Sequence, residues 1–196
     1  LGYWAHFGEV EDFRRTLWGY AYHRGLGIEG KAIVIGDGAP WIDGFAEKYC
    51  ARQVRIVDWY HALEHLWALG REAFGEKASG WVKGVERALW DGEVGQVVEA
   101  CEKVLAKQAT WGNGVERTAE YFRGRQAQMD YPAFRQAGYP IGSGTVESAC
   151  KGIGWRCKGR GQRWKSKGLN AMLALRSAGM GGKREWAQAW KLIGNT

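Results

Sequence analysis

Apolar residues recur every three to four positions between Glu9 and Arg24, at Val10, Phe13, Leu17 and Tyr20, and Gly25 follows. That period predicts an amphipathic helix with a glycine stop. A turn is expected at Gly27 to Gly30. Lys31-Ala-Ile-Val-Ile-Gly36 is a short, continuous apolar run that ends in Asp37-Gly38. It predicts a strand buried on both faces of a mainly parallel sheet. Trp41 to Cys50 suits a short helix, and Gln53-Val-Arg-Ile-Val57 suits a second strand ending at Asp58. This βαβ rhythm implies an α/β core.

From His61 to about Gln128 strand-like alternation disappears. The stretch is rich in Ala, Glu, Lys, Leu and Trp, and predicts helices near 61–73, 77–90, 92–109 and 113–128. Met129 to Gly144 reads as a loop, marked by Pro132, Pro140 and Gly142-Ser143-Gly144. A helix is expected from Thr145 to about Trp155, and another from Gly168 to Ala178. Three segments follow: 1–60 as a partial α/β core, 61–138 as an all-α insertion, and 139–196 as a core helix with a basic helical end.

Composition changes this picture in two places. The chain of 196 residues has 30 Gly and 12 Trp, against a usual glycine share of about 7%. Trp4, Trp18, Trp67, Trp81 and Trp90 are expected to pack in the core or between helices. No apolar run approaches the roughly 20 residues of a membrane span. The four cysteines form no CxxC pair, and reduced cytosolic thiols are the expected state. Leu1 is not an initiator Met, so the sequence is treated as a fragment.

Charge is unevenly placed. The net charge is +7, yet the last quarter from Ser148 holds eleven Lys or Arg and a single acid, Glu185, so the first 147 residues sum to −3. A basic end on a slightly acidic body is the electrostatic footprint of a phosphate-backbone binder. Trp155 and Trp164 interleave with the cations and suit stacking on bases or sugars. The alternative is a solvated cationic surface.

Two carboxylates are candidates for chemistry. Asp37 stands at the C-terminal end of a predicted strand, where open α/β sheets place ligands, and Glu147 falls in the first turn of a helix entered through Gly-Ser-Gly. Phosphoryl chemistry uses such oxygens to hold Mg²⁺. Taken alone, an Asp at a strand end is equally a turn former, and a Glu at a helix start is favoured by the dipole. His61-Ala-Leu-Glu64-His65 also matches the inverted zinc-peptidase motif, in which the two histidines would bind Zn²⁺, Glu64 would act as base and Glu147 could serve as third ligand.

The strings VIGDGAPW (34–41), IVDWYHALEHLW (56–67), YPIGSGTVESACK (139–151) and RCKGRGQRW (156–164) together resemble the DDE-type insertion-sequence transposases, in the branch related to Mutator-like elements. The resemblance covers most of the chain. It implies an RNase H-like core interrupted by the helical insertion, with Asp37 as the second Asp and Glu147 as the Glu of an Asp-Asp-Glu triad on Mg²⁺, or Mn²⁺ as substitute. The implied partner is double-stranded DNA at element ends and target, bound by a homo-oligomer in the nucleoid-associated cytoplasm. The implied reaction releases a 3′-hydroxyl that then attacks a target strand in line. Arg156, Lys158, Arg160, Arg163, Trp164 and Lys165 would hold DNA. Lys151 either contacts a phosphate or pairs with Glu147. Asp58-Trp-Tyr-His61 resembles the family's (Cys/Asp)xxHis signature. Either Asp58 accepts hydrogen bonds from the next helix while His61 packs beneath the site, or both act on DNA or metal geometry.

The family's first Asp has no counterpart, because the chain opens almost directly into a helix, and Asp12 within that helix is a poor match. The rival of a non-catalytic DNA-binding remnant follows from this. The 196 residues alone are expected to bind metal and cleave poorly.

Overall fold

The computed structural model describes residues 1–26, 30–112 and 114–193; most of the turn expected at Gly27 to Gly30, and the first residue of the helix expected at 113–128, lie outside them. The chain divides into two units, Lys31–Ser143 and Leu1–Gly30 with Gly144–Thr196.

In the first unit, β1 (Ala32–Gly36) and β2 (Gln53–Val57) pair in parallel, Ala32 opposite Gln53 through to Gly36 opposite Val57. A parallel pair needs a crossover, and α2 (Pro40–Tyr49) supplies it, with Pro40 at its first position, where a missing N–H costs nothing. Arg55 on β2 reaches back to Asp43 and Glu47 of α2 at 3.0 Å each. The expectation of β1 buried on both faces is corrected: only Ala32 is buried, and Ile33 to Gly36 are half-buried. Among the described residues the sheet has two strands, so each has one open edge.

The helical block is the core. It comprises α3 (Trp59–Phe74), α4 (Ala78–Trp90), α5 (Val94–Leu105) and α6 (Thr118–Arg123). Ala62, Leu66 and Leu69 line one face of α3, facing Val82, Val85 and Leu89 of α4 and Val97, Cys101 and Val104 of α5. These spacings of three, four and seven place the apolar side chains on one stripe per helix. Gly70 lets α3 approach α4: a Cβ there would sit 2.8 Å from Val82 Cγ2. Phe122, Met129 and Tyr131 complete the same cluster. Buried Cys101 has its thiol pKa pushed up to about 12 by desolvation.

Two expectations change here. The helix expected over 113–128 is broken into a 3-10 turn at Val115–Arg117, α6, and a second 3-10 turn at Gln126–Gln128. Gly114 at φ 77° precedes the run and Gly124 ends α6. The loop expected from Met129 contains α7 (Tyr131–Gln136), capped by Asp130 accepting from Ala133 N at 3.2 Å.

The second unit contains α1 (Val10–His23), α8 (Gly144–Cys157), α9 (Ser166–Met180) and α10 (Lys183–Ile193). α10 lies beyond the last helix expected from the sequence, which ends at Ala178. Asn170 on α9 clasps the N-terminal segment, its Oδ1 accepting from Phe7 N (2.7 Å) and its Nδ2 donating to Phe7 O (2.9 Å). Glu185 on α10 accepts from Tyr20 Oη (3.1 Å) and Arg24 Nη1. The four cysteines are free, and among the described residues no helix is long and apolar enough to cross a membrane.

Phe122 is fully buried whereas Val10 is 47% exposed. Phe122→Ala should therefore destabilise the first unit by about 3–5 kcal/mol, and Val10→Ala should change stability by under about 0.5 kcal/mol, read by denaturant unfolding. Near-equal effects would contradict this core.

Candidate functional site

Asp37 follows the last residue of β1 and its side chain is exposed. The backbone beyond it turns sharply. Asp37 Oδ1 accepts from Ala39 N at 2.9 Å, and Gly38 has φ +80°, a conformation glycine adopts at little cost. A Cβ on Gly38 would also lie 2.5 Å from Arg125 Nε, so a side chain there would strain the backbone and have to push the Arg125 guanidinium aside.

Two residues of the helical block fasten this turn. Tyr121 Oη donates to the Asp37 carbonyl at 3.1 Å. Arg125 donates from Nε (3.1 Å) and Nη2 (2.7 Å) to the Gly38 carbonyl, and from Nη1 to the Tyr121 carbonyl (3.3 Å). Its guanidinium lies 4.6 Å from the Tyr121 ring centre, within cation–π range. His65 of α3 stacks on that ring, centroids 4.0 Å apart and planes at 28°. Burial raises the Tyr121 pKa, so its hydroxyl stays a donor. Burial first, then the charges of His61 and Arg125, lower the His65 pKa to about 4, against weaker opposing pulls from Glu64 and Asp37.

Sequence reasoning misses Tyr121 and Arg125. They bond to backbone carbonyls more than 80 positions away, which leaves no motif. The available signals are their i, i+4 spacing and the Asp-Gly pair after a strand, which announces a left-handed glycine with close neighbours.

Asp58 does different work. It is 5% exposed and caps α3, its Oδ1 accepting from Tyr60 N (2.8 Å) and His61 N (3.1 Å), while its Oδ2 accepts from Ser143 N. Capping satisfies amides at a helix start that would otherwise lack partners. Three N–H donors on a carboxylate with little exposure compensate the buried charge. His61 is half-buried, its Nδ1 3.1 Å from Glu64 Oε2, its ring edge-on to His65 at 5.0 Å. Glu64 is thus engaged with His61, and the His65 ring is stacked on Tyr121.

In the second unit Glu147 lies in the first turn of α8, 55% exposed at its side chain, with Lys151 Nζ 3.8 Å from its Oε2. Between α8 and α9 runs a basic connector. Trp164 Nε1 donates to Cys157 O (3.1 Å), Gly159 N to Gln162 Oε1 (3.1 Å), and Gly161 takes φ 77°. Arg156, Lys158, Arg160, Arg163 and Lys165 are exposed, and among the described residues none forms an ion pair. The only acid of the last quarter, Glu185, is taken up by Arg24 and Tyr20.

Asp37 and Glu147 belong to different units. Each offers carboxylate oxygens to solvent, the donor chemistry a hard cation takes. Among the described residues no group of three His, Cys, Asp or Glu is arranged to hold a metal ion. Comparison with family models, with curated proteins and with solved structures finds no match to the chain.

Asp58→Ala, which leaves three amide donors without their acceptor, should cost about 2–4 kcal/mol by denaturant unfolding; a loss below about 0.5 kcal/mol would remove Asp58 from this role. His65 protonates near pH 6.5 when unfolded and near 4 when folded. The unfolded state therefore binds more protons in that window, so stability should fall as pH drops from 6.5 to 4, by up to about 3 kcal/mol. His65→Phe should flatten that part of the profile, and an unchanged profile would contradict the burial argument.

Proposed function

We propose that this chain is part of a DDE-type transposase with an RNase H-like core, which binds DNA through the connector between α8 and α9. The observation that carries the reading is the run of exposed cations from the last turn of the helix that bears Glu147 to the start of α9, none of which forms an ion pair among the described residues. Arg156, Lys158, Arg160, Arg163 and Lys165 attract the phosphate backbone and release its counterions. Arg guanidinium groups bind phosphates bidentately, and glycines 159 and 161 keep the connector free of bulk.

Asp37 and Glu147 are the proposed ligands for Mg²⁺, which when bound would polarise the scissile phosphodiester and lower the pKa of attacking water or 3′-hydroxyl. The chain's own part is positional. Tyr121 and Arg125 fix the carbonyls that flank the Asp37 carboxylate, and α8 carries Glu147 in its first turn. Lys151 neutralises Glu147 when no phosphate is present.

A non-catalytic DNA-binding remnant is the second reading. It is favoured by the lack, in this sequence, of a residue that matches the family's first Asp. Strand cleavage in Mg²⁺ or Mn²⁺ that Asp37→Asn and Glu147→Gln both abolish, with DNA affinity retained, supports the enzyme; binding without cleavage supports the remnant.

Affinity for duplex DNA should fall steeply with salt. Replacing Arg156, Lys158, Arg160 and Arg163 together by Gln should reduce the slope of log K against log salt by about 3.6, or about 0.9 for each phosphate no longer neutralised. Fluorescence anisotropy across a salt series reads this, and an unchanged slope would remove the connector from DNA binding.

A further inference from the structure

We propose that Trp155 is a base-stacking residue that receives an unpaired or displaced nucleobase of a DNA strand. The inference rests on the DNA-binding reading above and deepens it by assigning one strand state and one side chain.

Trp155 is 88% exposed, and no other described aromatic residue exceeds the 59% of Tyr60. An indole left in water forgoes the burial that an aromatic ring usually obtains, and the next most exposed tryptophan, Trp190, is 50% exposed. Trp18, Trp59, Trp67 and Trp81, for comparison, are buried or half-buried. Its helix is open too, since Ala149 is the only buried residue of α8.

Two classes of occupant suit an exposed indole, an apolar protein surface or a nucleobase, and the charges around it choose between them. Lys151, Arg156 and Lys158 are exposed beside Trp155. Glu147 is the only acid on α8, and it already faces Lys151. An apolar partner would bury those cations without compensation, whereas a nucleotide brings the phosphate that neutralises them and the π-face that stacks.

Trp164 is a different case. Its Nε1 is bonded to the Cys157 carbonyl and it is 36% exposed, so it staples the connector. Trp155 makes no such bond among the described residues.

Glu147, Lys151 and Trp155 recur at intervals of four, so they form one stripe along α8. Eight residues at 1.5 Å each set Trp155 about 12 Å along the axis from Glu147. At 3.4 Å per nucleotide of one strand, that is three to four base steps from a strand position beside Glu147. Inside an intact duplex both faces of each base are already stacked. The ring therefore takes a base only where pairing is open, as at a frayed or freshly cut end.

The test compares binding of the full chain to a single-stranded oligonucleotide and to the same sequence as duplex, with 2-aminopurine as probe at successive positions of the strand. Trp155→Ala should lower single-strand affinity roughly 5- to 150-fold and abolish 2-aminopurine quenching. Duplex affinity should stay within about twofold, and Trp155→Phe should retain most of the single-strand affinity. Trp155 lies outside the core, so the melting temperature should not move. Equal losses on both substrates, a Phe variant as weak as Ala, or a DNA-independent dimer that Trp155→Ala dissociates would each overturn the proposal. A wild-type chain that binds neither substrate would instead defeat the DNA-binding reading. Binding set by the cations and indifferent to Trp155 would defeat this inference alone.

Discussion

A single buried carboxylate organises the first unit. Asp58 accepts three backbone N–H groups, from Tyr60, His61 and Ser143. Its own amide donates to Gly36 O at 2.7 Å, and the next amide, of Trp59, donates to Ile141 O at 2.9 Å. Tyr131 Oη donates to Val57 O at 3.1 Å alongside. The C-terminal ends of both strands, the start of α3 and the stretch up to Ser143 thus meet around one acid. Burying a charge is costly unless several donors compensate, and here the compensating donors come from both the start of α3 and a loop 85 positions away. Displacing any of these strands or loops would strand the charge, so the arrangement is held as a set.

That division of labour separates two acids that look alike in sequence, both ending a strand. Asp58 faces inward and holds structure; Asp37 faces solvent on a turn fastened from outside by Tyr121 and Arg125. The fastening depends on Gly38, because any side chain there would displace the Arg125 guanidinium. The helical block after β2 therefore packs a core and also fixes the backbone next to the candidate ligand.

Legibility in the sequence follows the range of the forces involved. α1, both strands and α3 to α5 are readable, since hydrophobic period and local stops determine them. The loop around Pro132 conceals α7, because a proline at a helix start resembles one in a loop, and the break at Gly114 and Gly124 divides what composition suggests is one helix. Apolar content overestimates strand burial: Ile33, Val34 and Ile35 lie in a sheet where, among the described residues, each strand has one neighbour. Of the site, Asp37, Asp58 and Glu147 are visible as acids at element ends. Tyr121 and Arg125 are not, since bonds from side chains to distant carbonyls leave no sequence period.

The second unit separates its charges more completely than its composition requires. Glu185 is removed from the cationic field by Arg24 and Tyr20, which leaves the connector after α8 with no acid of its own. Hydrogen exchange of the chain with and without duplex DNA, resolved by peptide, tests the central claim most directly. The account predicts protection concentrated at 151–165, with the core helices α4 and α5 unchanged. Protection absent from that stretch, or centred on 78–105, would contradict it.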